Sequence, residues 1–350
     1  MDLTTIEETR QLYLTGGEVR FEQQPTLKAS MSDLSNELIL RYRNRREHLA
    51  DFAIELSNEE LLHNLGCIVS VNGDLYPTNA GILLFSDKPQ SFLPQSEVTV
   101  ERFKGTDVIE YLDRKDLHDP LQDLVTASEA FIYRHIRVGR RVIGFEGVDY
   151  WEFPKEAIRE VVVNAVIHRD YSLQGQHIRI FIFDDRIEVY SPGLLPPGVT
   201  LEELRQLKSR SGLRNPTIVN IFRDFGGFIE KLGTGIRRMS NAMQGHHLPT
   251  PHFDELSGEF LVTLIGPGEQ FMQDENSHSW TRELTTRQVQ AVDFLLKKGR
   301  LTNRKYQELA AVSRTTAKRD LKELVHKGIF QARGTGRGLH YILNPEWSPR

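Results

Sequence analysis

The chain has 350 residues, 26% of them charged, a formal net charge of −4 and a single cysteine, Cys67. One thiol excludes a disulfide framework and a cysteine metal site. No stretch approaches an apolar membrane span and no charged-then-apolar leader is present, so a cytoplasmic protein without a membrane partner is expected.

Residues 1–30 are polar and weakly periodic, as in a linker or arm. Residues 31–150 predict an α/β module. Two helical patterns lie between Ser32 and Asn64, with caps expected at Ser32 and Ser57. Asn72-Gly73 predicts a hairpin turn between Cys67–Val71 and the run at Leu75. A helix over Thr78–Phe85, a strand over Val98–Phe103 and an amphipathic helix over Leu121–Ile136 follow. This module carries no catalytic constellation.

The next unit, residues 151–267, holds the most informative segment, Glu160 to Tyr171. Ala157, Ile158, Val161, Val162, Ala165 and Val166 recur at helical spacing and predict a core face. Glu156, Glu160, Asn164 and His168 stand four apart, in one line along the helix. A carboxamide oxygen suits magnesium, which takes hard oxygen ligands. A glutamate one turn away can orient and deprotonate a water that attacks phosphate. A polar stripe that only satisfies itself by hydrogen bonds is the competing explanation.

Beyond it, His177–Phe183 and Arg186–Tyr190 flank Asp184-Asp185 and predict a β-hairpin, which ends in Ser191-Pro192-Gly193. A polar segment then runs to Glu230-Lys231-Leu232-Gly233-Thr234-Gly235 before another helical pattern. Glycines at a helix start let backbone N–H groups approach phosphates. His246, His247 and His252 fall in a proline-containing loop and are expected at the surface.

Residues 268–282 form a polar linker, and residues 283–345 a last unit. Helical spacing over Leu284–Leu296 is capped at Thr285 or Thr286. A short helix over Leu301–Leu309, a turn at Ala311–Ser313 and a helix over Arg314–Val325 follow. Ile329–Arg333 and Leu339–Leu343 flank Gly334–Gly338. From Lys297 to Gly338 there are 12 Lys or Arg against 3 Asp or Glu, in a chain that is acidic overall. Such asymmetry is an electrostatic footprint for nucleic acid. A protein-contacting unit with a solvated basic face is the other option.

The order Glu160-x-x-x-Asn164-Ala165, His168-Arg-Asp-Tyr171, Ser191-Pro-Gly193, Arg214-Asn-Pro216, Glu230-Lys-Leu-Gly-Thr-Gly235 resembles the GHKL (Bergerat-fold) ATP-binding domain. More narrowly, it is similar to the bacterial "RecG-related" branch of transcriptional regulators, without that family's Schlafen/AlbA-type N-terminal domain. The resemblance implies an α+β chain: a GHKL-like α/β sandwich behind the N-terminal α/β module. It implies ATP and Mg2+ as cofactors, with Glu160 as the water-activating base and Asn164 as the metal ligand. It further implies nucleotide contacts from Asn164, His168, Ser191, Gly193, Arg214, Lys231, Gly233, Thr234 and Gly235. The segment from Leu194 to Leu232 corresponds to the ATP lid, where Lys208, Arg210 and Arg214 are placed to meet phosphate. Arg169, Asp170 and Tyr171 are expected to lock the helix end to the hairpin.

One departure stands out. The aspartate or asparagine that such proteins carry at the hairpin end is Ser191 here. A retired nucleotide pocket is therefore the alternative, leaving a DNA-binding or scaffold protein. Helicase activity is excluded by the lack of a G-x-x-x-x-G-K-[ST] loop and of room for paired motors.

The C-terminal unit resembles a winged helix-turn-helix of the DeoR/MarR-like kind. The resemblance implies major-groove contacts on double-stranded DNA from Arg314, Thr315, Thr316, Lys318 and Arg319, and wing contacts from Arg333 and Arg337. A homodimer or larger homo-oligomer is expected, because such domains pair and read two half-sites.

Overall fold

Asn72 and Gly73 both take positive φ, 53° and 95°, as a two-residue hairpin turn requires. They join β1 (Ile68–Val71) to β2 (Asp74–Pro77) where the sequence predicts a turn. The computed structural model describes residues 20–50, 53–143, 146–196, 198–208, 212–226, 228, 233–268, 271, 284–345 and 347. It divides into two units: residues 1–137 with 151–268, and residues 138–150 with 269–350. The architecture is mixed α+β.

The first unit is built on a six-stranded mixed sheet. Its strands are β3 (Val98–Phe103), β4 (Tyr111–Leu117), β7 (Ile178–Ile182), β8 (Arg186–Pro192), β9 (His252–Leu256) and β10 (Glu259–Ile265). They lie in the order β4-β3-β7-β8-β10-β9. Only β3 and β7 pair in parallel. A parallel pair needs a long crossover, and helices α4 (Leu121–His135) and α5 (Lys155–His168) lie within it. The strands alternate as a half-buried sheet must: Ile178, Ile180, Ile182, Ile187, Val189, Val262 and Leu264 are all buried. The buried face of α5, which includes the six predicted apolar residues, supplies much of the same core.

Around this frame stand α1 (Asn36–Ala50), α2 (Asn58–Asn64), α3 (Asn79–Phe85), α6 (Leu201–Arg205), α7 (Pro216–Asp224) and α8 (Gly235–Gly245). Ser57 caps α2, with Glu60 closing the reciprocal capping box. Ser32 is not a cap. Ser30 and Asp33 box a 3-10 turn at Met31–Asp33, Leu34 is extended, and α1 begins only at Asn36.

Part of the expected N-terminal arm is docked. Phe21–Gln23 forms a 3-10 turn, and the Asn79 amide donates to the Phe21 carbonyl at 2.8 Å. Glu22 is fully buried, and its carboxylate accepts the Thr217 and Ile218 N–H groups of α7 at 2.8 and 3.0 Å. A carboxylate at two orphan N–H groups of a helix start is a favourable cap.

The second unit contains a short hairpin, β5 (Val138–Ile143) with β6 (Glu146–Trp151), and a separate α/β cluster. In that cluster α9 (Thr286–Lys298) is capped by Thr285, α10 (Asn303–Ala310) by Thr302 and α11 (Arg314–His326) by Ser313. Strands β11 (Phe330–Arg333) and β12 (His340–Leu343) pair antiparallel. Val292, Leu295, Tyr306, Leu321, Leu324 and Phe330 form its core. Buried Asp320 ties it together, accepting from the Tyr306 hydroxyl at 3.1 Å and from Arg287 at 3.2 Å. Most of the linker expected at 268–282 lies outside the described residues. Among the described residues no helix is long and apolar enough to cross a membrane.

Candidate functional site

The polar stripe of α5 divides by burial. Glu156 is exposed, Glu160 is buried, and Asn164 and His168 are partly buried. Glu160 accepts hydrogen bonds at both carboxylate oxygens: Oε2 from Arg238 Nη2 at 2.6 Å, and Oε1 from Asn164 Nδ2 at 3.3 Å. Arg238 stands one turn into α8, three residues after Gly235, so both face α5. A Cβ at Gly235 would lie 1.8 Å from Glu160 Oε1. Only glycine lets the start of α8 sit against this carboxylate. Arg238 belongs to none of the sequence motifs, although the three-residue helical step from Gly235 could have flagged it.

His168 ends the stripe. Burial, with the Arg214 cation adding, draws its imidazole down to about 4, so the ring is neutral at pH 7. No described residue hydrogen-bonds the ring.

Several motif residues work on the C-terminus of α5. The last carbonyls of a helix lack intrahelical partners, and here side chains supply them. The Ser191 hydroxyl donates to the Ala165 carbonyl at 2.9 Å and the Tyr171 hydroxyl to Val166 at 2.8 Å. Asn215 Nδ2 donates to Ile167 at 3.0 Å and Arg169 at 2.8 Å. Arg214 Nη1 donates to His168 at 3.0 Å, while Nη2 reaches the Leu194 carbonyl at 2.6 Å. Asn215 precedes α7 yet its side chain bonds α5, and the side-chain cap of α7 comes from Glu22, 195 positions before Thr217. Arg169 is fully buried and donates to the Asp170, Leu173 and Gln176 carbonyls; burial draws it down to about 10. The Asp170 N–H meets the Pro192 carbonyl at 2.8 Å. Of the three residues expected to lock the helix end to the hairpin, Asp170 does so through this backbone bond, whereas Arg169 holds the connecting loop and Tyr171 bonds the helix itself.

Gly193 closes this corner with φ 111°, and a Cβ there would fall 2.6 Å from Arg214 Nη1 and 2.7 Å from Asp170 Cβ. Both the backbone conformation and the packing call for glycine.

Beside these groups is an open cavity. Glu160, Asn164, His168, Ser191, Gly193, Arg214, Gly233 and Gly235 all line it. Its other walls are mostly apolar, with Leu194, Leu195, Val199, Leu204 and Leu213 coming from the segment between β8 and α7. An apolar cavity with a few convergent polar groups is the usual form of a small-molecule site. Glu160 is the one acid among the described lining residues. Thr234 occupies the N-cap position of α8 and does not line the cavity. Lys231 and Arg210 lie outside the described residues. Lys208 is exposed and bonds Gln206 at 3.1 Å.

In the second unit Arg314, Thr315, Lys318 and Arg319 are exposed along the first turns of α11, and Arg333 is exposed on β11. Thr316 is half-buried against the Ser313 cap. The Arg337 side chain lies outside the described residues.

Comparison with known proteins adds four findings. Residues 175–264 match the family model described as "Putative ATP-dependent DNA helicase recG C-terminal". That range holds the hairpin and Gly233-Thr234-Gly235, whereas Glu160, Asn164 and His168 precede it. Residues 5–99 match a family described as "Domain of unknown function". No curated protein matches the chain. The crystal structure of the DIP2311 protein from Corynebacterium diphtheriae is similar in fold, with a TM-score of 0.52 and 20% identity over 93% of this chain and 70% of that one.

Proposed function

We propose that this chain is a nucleotide-responsive DNA-binding regulator. In this reading the first unit is a GHKL-like sandwich that binds ATP with Mg2+, and α9–α11 with the β11–β12 hairpin form a winged helix. One observation carries it: the Glu160–Asn164 pair lies against the first residue of α8, inside an apolar cavity. The ATPase-like family match over the adjoining residues supports the same reading.

The donor set suits magnesium held jointly with phosphate. Asn164 Oδ1 is a hard oxygen that accepts no hydrogen bond from the described residues. Among those residues no group of three or more His, Cys, Asp or Glu could hold a metal. When bound, the ion would be held by Asn164 and would supply positive charge against the phosphates. Glu160 would orient a water and take its proton, and the N–H groups at the start of α8 would meet the phosphates. The apolar wall of Leu194, Leu195, Val199, Leu204 and Leu213 would cover the base and exclude water. With both Glu160 oxygens already accepting hydrogen bonds, turnover would be slow and suited to switching. The exposed basic face of α11 would read double-stranded DNA, as a homodimer or larger. Helicase action is not proposed, since the sequence has no G-x-x-x-x-G-K-[ST] loop.

A second reading is a retired pocket on a DNA-binding or scaffold protein. It is favoured by Ser191, whose hydroxyl donates to Ala165 rather than offering a carboxylate to a base. Thermal unfolding with and without Mg-ATP separates the two. Ligand at 100 times its Kd adds about 2.7 kcal/mol, and no shift at millimolar Mg-ATP rejects the nucleotide reading.

A further inference from the structure

We infer that Glu22 is a positioning residue for the cavity: through α7 it holds Leu213 and Arg214 in the cavity wall, and so ties ligand affinity to the seating of an N-terminal strap. The inference rests on the nucleotide reading above for the identity of the ligand.

The strap is residues 21–26. Buried Asn79, at the start of α3, grips it at both ends. Its side-chain nitrogen donates to the Phe21 carbonyl at 2.8 Å, its backbone N–H donates to the Gln24 carbonyl at 2.9 Å, and its Oδ1 accepts from the Thr26 hydroxyl at 2.7 Å. Between these anchors Glu22 turns inward and is fully buried. A carboxylate is costly to bury unless its oxygens are satisfied. Here Oε1 accepts the Thr217 N–H and Oε2 the Ile218 N–H.

The helix it caps is part of the cavity. Val219, next after Ile218, lines it, as do Leu213 and Arg214 just ahead of α7. A side-chain cap from Asn215 would make the start of α7 independent of the strap. Asn215 makes no such bond. It donates to the Ile167 and Arg169 carbonyls, while Arg214 holds that of His168. The end of α5 and the start of α7 are therefore joined through two adjacent residues, and Glu22 fixes the α7 side of the joint. Removing its carboxylate strips two N–H groups at a buried helix start of their partners. The helix start must shift to satisfy them, and Leu213 and Arg214 move with it. Glu22 does not line the cavity, so it acts through α7.

The test combines amide hydrogen exchange with the Kd of Mg-ATP, on the full chain, for wild type, Glu22→Ala, Glu22→Gln and Ser57→Ala. Ser57 caps α2, which supplies none of the described lining residues, so it reports the loss of an ordinary cap. Without ligand, Glu22→Ala should speed exchange at Thr217 and Ile218 and also at Asp170, whose N–H bonds the Pro192 carbonyl beside the cavity. Its Mg-ATP affinity should fall by about 5-fold or more, the lower end of usual coupling between sites. Glu22→Gln keeps one acceptor oxygen and should recover part of both, and Ser57→Ala should change neither. Coupling is reciprocal, so Mg-ATP should slow exchange at the Thr26 and Asn79 amides of the wild type, which bond Pro77 and Gln24 away from the cavity. That wild-type measurement decides the matter if Glu22→Ala does not fold. Faster exchange confined to α7, or spread evenly to α2, overturns the inference, as does a folded Glu22→Ala that binds Mg-ATP within about twofold of wild type. Faster Asp170 exchange in Glu22→Ala, with no Mg-ATP binding by the wild type, upholds the positioning role and overturns the nucleotide reading instead.

Discussion

Gly235→Ala separates site from scaffold. The added Cβ would stand 1.8 Å from Glu160 Oε1, 2.8 Å from its Cδ and 3.4 Å from Asn164 Nδ2. Restoring an ordinary separation of about 3.5 Å requires the carboxylate to withdraw by roughly 1.7 Å. Glu160 is a flexible side chain and can swing away, so the fold survives. The withdrawal breaks the bonds to Arg238 and Asn164, worth roughly 1.5–3 kcal/mol for a charged pair. Alanine returns up to about 1 kcal/mol of helix propensity over glycine. The net loss is about 0.5–2 kcal/mol, a fall in Tm of roughly 1–8 °C for a domain of this size. Mg-ATP affinity should fall by about 10-fold or more, because the metal ligand loses its orienting partner. Gly81→Ala is the control. There the Cβ would meet the Cys67 backbone carbonyl at 2.0 Å, with no side chain to yield. It should cost upwards of about 3 kcal/mol as an overpacking and backbone-strain defect. Calorimetry and melting curves read both variants. A Gly235→Ala protein that is folded and binds Mg-ATP within about twofold of wild type, under 0.5 kcal/mol, would show that α8 does not need to abut Glu160.

Three further outcomes are expected. His168 titrates near 4 in the folded chain against 6.5 when free. Its neutral burial therefore contributes stability above pH 6.5 that is lost as pH falls toward 4. At pH 5 the loss is at most about 2 kcal/mol. His168→Gln should remove that part of the acid sensitivity, and denaturant midpoints at pH 7.5 and 5.0 that change equally in both proteins would contradict it. Asn215→Ala strips the Ile167 and Arg169 carbonyls of a buried donor and should destabilise by about 2–4 kcal/mol; a midpoint within experimental error of wild type would rule out the cap. Arg314→Ala with Arg319→Ala should weaken DNA binding and flatten its salt dependence, by about 0.9 in log–log slope for each phosphate no longer neutralised. Unchanged affinity and slope would remove α11 from the DNA interface.

Local pattern carried the elements. The apolar period of α5, the Asn72-Gly73 turn and the caps at Ser57 and Ser313 all depend on residues within one turn of one another, and the structure has them there. Ser32 is not a cap because Ser30 and Asp33 close a 3-10 turn around it and the extended Leu34 delays the start of α1 to Asn36. Ser191 and Arg214 line the cavity, but sequence spacing could not show that both also cap α5. The partners that make them caps are 26 and 46 positions away. Glu22 was illegible for the same reason, since a polar residue in a polar stretch gives no sign that it will be buried against a distant helix. Arg238 lay within reach of helical geometry, but its partnership with Glu160 depends on how α5 and α8 pack.

Calorimetric titration of ATP, ADP and GTP with Mg2+ into wild type and Asn164→Ala decides whether the cavity is a nucleotide site. Saturable ATP binding that loses its Mg2+ dependence in the variant is the expected result. Absence of binding by any of the three nucleotides to a folded wild type would contradict it and leave the basic face of α11 as the functional end of the chain.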